Sequence, residues 1–176
     1  MKLIISATLL ALALSACSSP TPVQYYPLPD SAFVLPPKRT QEAALLIILA
    51  EPIKTQSLLY QTNPSQLSFA KKHLWVEGHE DALSASLSNK LNRLNRRIRY
   101  QPVRRSDNPK NLLKVYIETF QGNYQGYTQI TGYAQWANGK SRSFAVQTPQ
   151  QGDGYPAMVQ SLDEGLESVA AEISAR

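Results

Sequence analysis

Two apolar stripes with identical spacing constrain this chain most. Leu83, Leu87, Leu91, Leu94 and Ile98 follow one another at intervals of 4, 4, 3 and 4, and Met158, Leu162, Leu166, Val169 and Ile173 repeat the pattern near the C-terminus. These intervals put each set on one side of an α-helix, so one-sided helices are predicted over 80–98 and from Pro156 onward. Proline is tolerated in a first helical turn because that N–H has no intrahelical partner. Glu80 and Asp81 begin the first helix and Arg93, Arg96 and Arg97 end it, which suits the helix dipole at both ends.

A helix with one apolar face must bury it against another layer, and the residues between the helices supply a sheet. Leu113, Val115 and Ile117 alternate with Lys114, Tyr116 and Glu118. Thr128 to Trp136 and Lys140 to Gln147 flank Asn138-Gly139, a strong hairpin signal. Two sets compete for the buried side of that hairpin, Tyr127, Thr131 and Tyr133 against Ile130, Ala134 and Trp136, and alternation alone does not choose between them. The unbroken apolar run Ala43 to Ala50 predicts a strand covered on both faces. Shorter strands are expected over 57–62 and 67–70. The predicted fold class is α+β: a largely antiparallel twisted sheet with two helices packed on one face.

Residues 1–16 stand outside that fold. Met1-Lys2 is a short positive start, and Leu3 to Leu14 is nearly all apolar. The run is too short to cross a ~30 Å hydrocarbon layer but fits a secretory signal. It ends in Leu14-Ser15-Ala16-Cys17, which resembles the bacterial lipobox. That resemblance implies cleavage before Cys17 and acylation of its sulfur and new amino group. Ser18 follows where an aspartate would signal retention in the inner membrane, so an outer-membrane anchor facing the periplasm is expected. Cys17 is the only cysteine, so intramolecular disulfides and cysteine-cluster metal sites are excluded. Residues 17–40 then read as the lipidated cysteine and a proline-rich tether, holding six of the twelve prolines, and 41–176 as a single domain. Tyr25-Tyr26-Pro27-Leu28-Pro29 interrupts the tether with aromatic mass and is expected to dock on the domain.

Catalytic chemistry is sparse. There is no phosphate loop, nucleophile elbow or zinc-protease motif, and no cofactor or metal is expected. His73 and His79 are the only imidazoles. With Glu77 and Asp81 nearby, His79 could be drawn as a base, but a solvated residue just before a helix start is the expected reading. No enzyme activity is predicted.

The formal charge is +5, and Lys90, Arg93, Arg96, Arg97, Arg99, Arg104 and Arg105 form a run with no acid inside it. An exported address argues against nucleic acid as partner. Two readings remain for Arg93, Arg96 and Arg97: a solvated helix face, or a patch for an anionic lipid or acidic protein. The nine tyrosines are the other unusual feature. Tyr25, Tyr26, Tyr124, Tyr127 and Tyr133 are candidate partner or oligomer contacts, because tyrosine offers large area and a hydrogen bond at low rotamer cost. Ordinary strand packing is the competing explanation.

Taken in order, five segments resemble one family. They are Tyr25-Tyr26-Pro27-Leu28-Pro29; Leu58-Leu59-Tyr60-Gln61-Thr62; Leu74-Trp75; Phe120 to Gly126 with Gly132 and Trp136; and Asp153-Gly154-Tyr155 before Met158-Val159. The chain is similar to the PqiC/YmbA group of ABC-type transport auxiliary lipoproteins. It departs from that pattern at Glu51-Pro52-Ile53-Lys54 and at Trp75-Val76-Glu77-Gly78-His79. The resemblance implies a non-catalytic subunit of an MCE-type intermembrane lipid transport system. It would be lipid-anchored at the outer membrane, dock a periplasmic MCE-domain tunnel protein there, and form a homo-oligomeric ring. The alternative is a free-standing lipoprotein that binds a small ligand or inhibits a periplasmic enzyme.

Overall fold

The structure, a computed structural model, describes residues 21–106 and 111–175. Eight strands form one sheet: β1 (Gln24–Tyr26), β2 (Gln41–Leu49), β3 (Ser57–Asn63), β4 (Gln66–Trp75), β5 (Ile98–Pro102), β6 (Leu112–Asn123), β7 (Tyr127–Trp136) and β8 (Ser141–Pro149). The helices are α1 (His79–Leu94) and α2 (Gly154–Ser174). Both lie on one face of the sheet and touch each other, so the α+β expectation holds. The longest ladders, β6–β7 and β7–β8, are antiparallel. Shorter parallel pairings join β1 to β4, β2 to β5 and β6, and β3 to β6.

Strand β6 is the axis. One of its edges pairs with β7 throughout, while the other is shared: β2 runs along Leu112 to Ile117, and β3 takes over at Gly122 and Asn123. The sheet therefore forks on either half of β6. The buried side of the hairpin is set by Ile130 and Ala134, which face the helices, whereas Tyr127, Thr131 and Tyr133 point outward and are half-buried. At the tip Gly139 alone adopts positive φ; Asn138 does not, so this is not the two-residue turn with both central residues left-handed. A Trp136 carbonyl to Gly139 N–H bond closes it instead.

Three expectations need correction. Helix α1 stops at Leu94, and Ile98 begins β5 rather than closing the stripe. Asn95 ends the helix: its side-chain oxygen accepts from the N–H groups of Arg97 and Ile98. Second, β2 is not covered on both faces. Ala43, Leu45, Ile47 and Leu49 are buried, but Leu46 and Ile48 are partly exposed on the outer side. Third, β4 is much longer than residues 67–70 and runs straight to Trp75, which lies in the core.

The segment from Gln24 onward is fastened to the domain. β1 pairs with β4 from Gln24–His73 to Tyr26–Trp75, as expected for a docked aromatic segment, and Leu28 is buried. Residues 30–39 then run along α1. Asn89 Nδ2 donates to the carbonyls of Asp30 and Ala32, and its Oδ1 accepts from Val34 N–H. The Arg39 guanidinium donates to the carbonyls of Asn92, Asn95 and Ile98, capping the helix end with positive charge. Besides its leucine stripe, α1 buries polar residues on several sides: Asn89 and Lys90 under the strap, Ser84 against the Leu45 carbonyl of β2, and Asn92 against the Tyr100 backbone of β5.

Lys90 is the strap's lock. Its side chain is 1% exposed, and its Nζ lies 2.7 Å from Asp163 of α2 and 3.3 Å from Asp30 of the strap. Arg93 adds bonds of 2.7 Å to Asp30 and 3.4 Å to Glu167. Burial between the helices raises the Asp163 carboxyl above the ordinary range, against the pull of Lys90. At Asp30 burial pulls upward too, but hydrogen bonds and charge from Arg93 and Lys90 prevail and hold it low.

Candidate functional site

A concavity of about 500 Å³ opens where the start of α2 meets the β6–β7 turn. Strands β3 and β6 bring Tyr60 and Asn123 together through the Tyr60–Gly122 and Gln61–Asn123 register. The turn after β6 contributes Tyr124, and the first turn of α2 contributes Tyr155 and Met158. Gly122 permits this convergence. A Cβ there would stand 2.4 Å from Met158 Sδ and 2.9 Å from the Tyr60 ring, so any larger residue would force both side chains out of their present positions.

Aromatic rings continue beside the cavity. His73 stacks on Tyr155 at 4.0 Å between centroids, and Tyr26 lies 6.3 Å from Tyr155. Tyr26 Oη is 2.9 Å from His73 Nδ1 and donates to Gln24 Oε1 at 2.6 Å. Desolvation first, and neighbouring tyrosines second, push the Tyr155 phenol upward, so it stays a neutral donor. The polar wall is partly engaged: Asn123 holds Gln61 and the Gln125 N–H, while Gln150 donates to the carbonyls of Gly152 and Gly154. Tyr124 is exposed and overhangs the rim. Rings, a thioether, amides and the Asp153 carboxylate line a receptor suited to an apolar or aromatic group with a polar, hydrogen-bond-donating edge.

The structure therefore brings two of the five predicted tyrosines to this site, Tyr26 and Tyr124, and adds Tyr60 and Tyr155. Tyr127 sits close by, donating to Gln125 Oε1 at 2.9 Å. Tyr25 stands exposed on the sheet-edge strand β1. Tyr133 is elsewhere: it stacks on Tyr116 at 4.4 Å on the outer face of the sheet. Sequence alone does not single out Tyr60 and Tyr155, because each stands apart from the other tyrosines; the β3–β6 pairing and the packing of α2 place them together. Arg93 is engaged by Asp30 and Glu167, whereas Arg96 and Arg97 are exposed and carry no ion pair among the described residues. Cys17 lies outside the described residues.

His79 corrects an expectation. It is the first residue of α1 and is buried, stacked on Trp75 at 5.0 Å with its edge toward Phe120 at 5.2 Å. Its Nδ1 lies 2.9 Å from the Ile53 carbonyl, which can only accept, so Nδ1 carries the proton. Ile53 belongs to the 3₁₀ turn Glu51–Lys54, one of the two places where the chain departs from the family pattern. Burial lowers the imidazole pKa to about 4, only partly countered by the Ile53 bond. Among the described residues no group of histidines, cysteines or acids is placed to hold a metal ion.

Sheet, helices, strap and aromatic cavity belong to one α+β fold. The chain belongs to the family of ABC-type transport auxiliary lipoprotein components, whose model matches residues 32–174. The fold is shared with solved structures. A crystal structure of an uncharacterized protein superposes with a TM-score of 0.71 at 23% identity, covering 88% of this chain and 97% of that one. The protein XCC0632 from Xanthomonas campestris gives 0.63 at 20% identity, covering 88% and 90%. No curated protein matches the sequence. Among the described residues no helix is long and apolar enough to cross a membrane.

Proposed function

We propose that this chain is the outer-membrane lipoprotein subunit of an MCE-type intermembrane lipid transport system. Acylated Cys17 moors it in the inner leaflet of the outer membrane, facing the periplasm. The domain docks the far end of a periplasmic MCE-domain tunnel protein and so supports membrane integrity. It works as a homo-oligomeric ring and catalyses no reaction. The observation that carries this reading is the tyrosine cavity beside the start of α2, in a chain whose family consists of transport auxiliary lipoproteins. Tyr26, Tyr124 and Tyr127 are proposed as contacts around the cavity, Tyr25 and Tyr133 as contacts on the sheet edge and outer face, and Arg93, Arg96 and Arg97 as an anionic-partner patch.

The same cavity also favours a second reading, a free-standing lipoprotein that holds a small ligand, because about 500 Å³ is the volume of a small-molecule site. Crosslinking of the mature lipoprotein in cells separates the two. Capture of an MCE-domain protein supports the adaptor; purification of an uncrosslinked monomer carrying a small molecule supports the alternative.

The anchor has its own test. Cys17→Ala is expected to leave an unprocessed precursor and to abolish fractionation with the outer membrane. A stable lipid anchor takes more than one acyl chain, each CH₂ contributing about 0.8 kcal/mol, so losing all of them leaves no residual affinity from this source. Normal outer-membrane fractionation of that variant contradicts the lipobox assignment.

A further inference from the structure

The strap leaves two aliphatic side chains in solvent. Val34 is 69% and Leu35 64% exposed, while their neighbour Phe33 is tucked in with the Arg105 guanidinium 5.7 Å from its ring. Leu94, in the last turn of α1, is also exposed, but it lines a small concavity toward α2 with Lys90, Arg93 and Glu167 and is not part of this surface. Single exposed aliphatics are ordinary, but Val34 and Leu35 are adjacent on the strap and project together from one flank of the molecule. Val34 N–H bonds to Asn89, Arg39 bonds to the carbonyls of Asn92 and Asn95, and Thr40 bonds to the Arg97 carbonyl, so residues 34–40 track the last two turns of α1 to its end. The same flank carries Lys38, Arg96 and Arg97, all exposed and with no ion pair among the described residues. The acids that approach it, Asp30 and Glu167, are held by Lys90 and Arg93.

We infer that this flank is a membrane-contact surface: Val34 and Leu35 enter the headgroup boundary of an anionic bilayer while Lys38, Arg96 and Arg97 meet its phosphates. The inference rests on the proposed lipid anchor, which supplies the nearby leaflet. Charge selects the occupant. Three unpaired cations around aliphatic tips complement an anionic lipid surface, where each is favoured separately from the apolar contact. The short span is also suited to it. Pro36 and Pro37 follow Leu35 directly and restrict the backbone that presents the two side chains. Contact here would add a second point of attachment to the anchor and orient the tyrosine cavity relative to the membrane.

The test uses the acylated full chain carrying Leu35→Cys. With Cys17 acylated, position 35 is the only free thiol and takes an environment-sensitive fluorophore. The protein is reconstituted into phosphatidylcholine vesicles with and without phosphatidylglycerol. The expected result is a blue-shifted emission quenched by brominated lipid, confined to vesicles containing phosphatidylglycerol. A label at exposed Gln147 of β8 should stay water-like in both. Arg96→Gln and Arg97→Gln should each lower the docked-to-undocked ratio about fivefold. Identical, water-like emission at position 35 in both vesicle types overturns the inference, as does a blue shift that brominated lipid does not quench, which would report protein contact. Co-sedimentation of the same samples reads the anchor by itself: chain that pellets without docking defeats this surface only, and chain that does not pellet defeats the anchor.

Discussion

Asp163→Ala is expected to destabilise the fold by about 3 kcal/mol and to lower the melting temperature by roughly 10 °C. Lys90 is 1% exposed and depends on Asp163 at 2.7 Å. Removing the carboxylate strands a buried ammonium, and the penalty for an uncompensated charge exceeds the net worth of the pair. Asp30 at 3.3 Å and Glu167 at 3.7 Å keep the loss at the lower end of the range for broken buried pairs. Adding Lys90→Met to Asp163→Ala should restore most of the stability, because Asp30 and Glu167 retain Arg93 and no buried charge is left alone. Urea unfolding of the two variants checks this. A loss below about 0.5 kcal/mol for Asp163→Ala would mean that Lys90 does not need its partner.

The second large effect is acid sensitivity from His79. The unfolded chain takes up this proton near pH 6.5, whereas in the folded protein burial beside Trp75 and Phe120 lowers the pKa to about 4. Between those values the unfolded state holds more protons, so stability rises with pH and is lost as pH falls from 6.5 toward 4. The difference corresponds to about 3 kcal/mol over that window. His79→Phe keeps an aromatic ring against Trp75 and cannot titrate, so its stability should be flatter over the same range. Carboxylates titrating in both proteins cancel in the comparison. Equal slopes for the wild type and His79→Phe would show that the imidazole is not desolvated.

These two sites mark where the sequence was legible and where it was not. Most of both helix stripes and the strands of the β6–β7–β8 meander are local periodicities, and those read directly. What escaped depends on distant chain segments. His79 is covered by Ile53 and Phe120, neither of which its neighbours announce. The polar residues of α1, Ser84 through Asn92, look like a solvated face, yet the sheet, the strap and α2 engage them: Ser84 at β2, Asn92 at β5, Asn89 at the strap and Lys90 at α2. Ile98 fits the helical spacing, but Asn95 turns the chain first and parallel pairing with β2 makes Ile98 a strand residue. The tyrosine cavity was half visible: the sequence crowds tyrosines onto the meander, but their convergence needs the β3–β6 register and the first turn of α2. The basic run was visible as a run, while its division into the paired Arg93 and the unpaired Arg96 and Arg97 required the strap and α2.

The adaptor account is tested most directly at the cavity rim. A photo-reactive amino acid in place of Tyr124, exposed on that rim, should capture a periplasmic MCE-domain protein when cells are illuminated, and the same probe at Gln147 on β8 should not. Replacing Tyr155 with alanine should reduce the capture at position 124 without changing the amount of lipoprotein present. Illumination that yields no protein adduct at Tyr124, with a small molecule recovered from the cavity instead, would contradict the account.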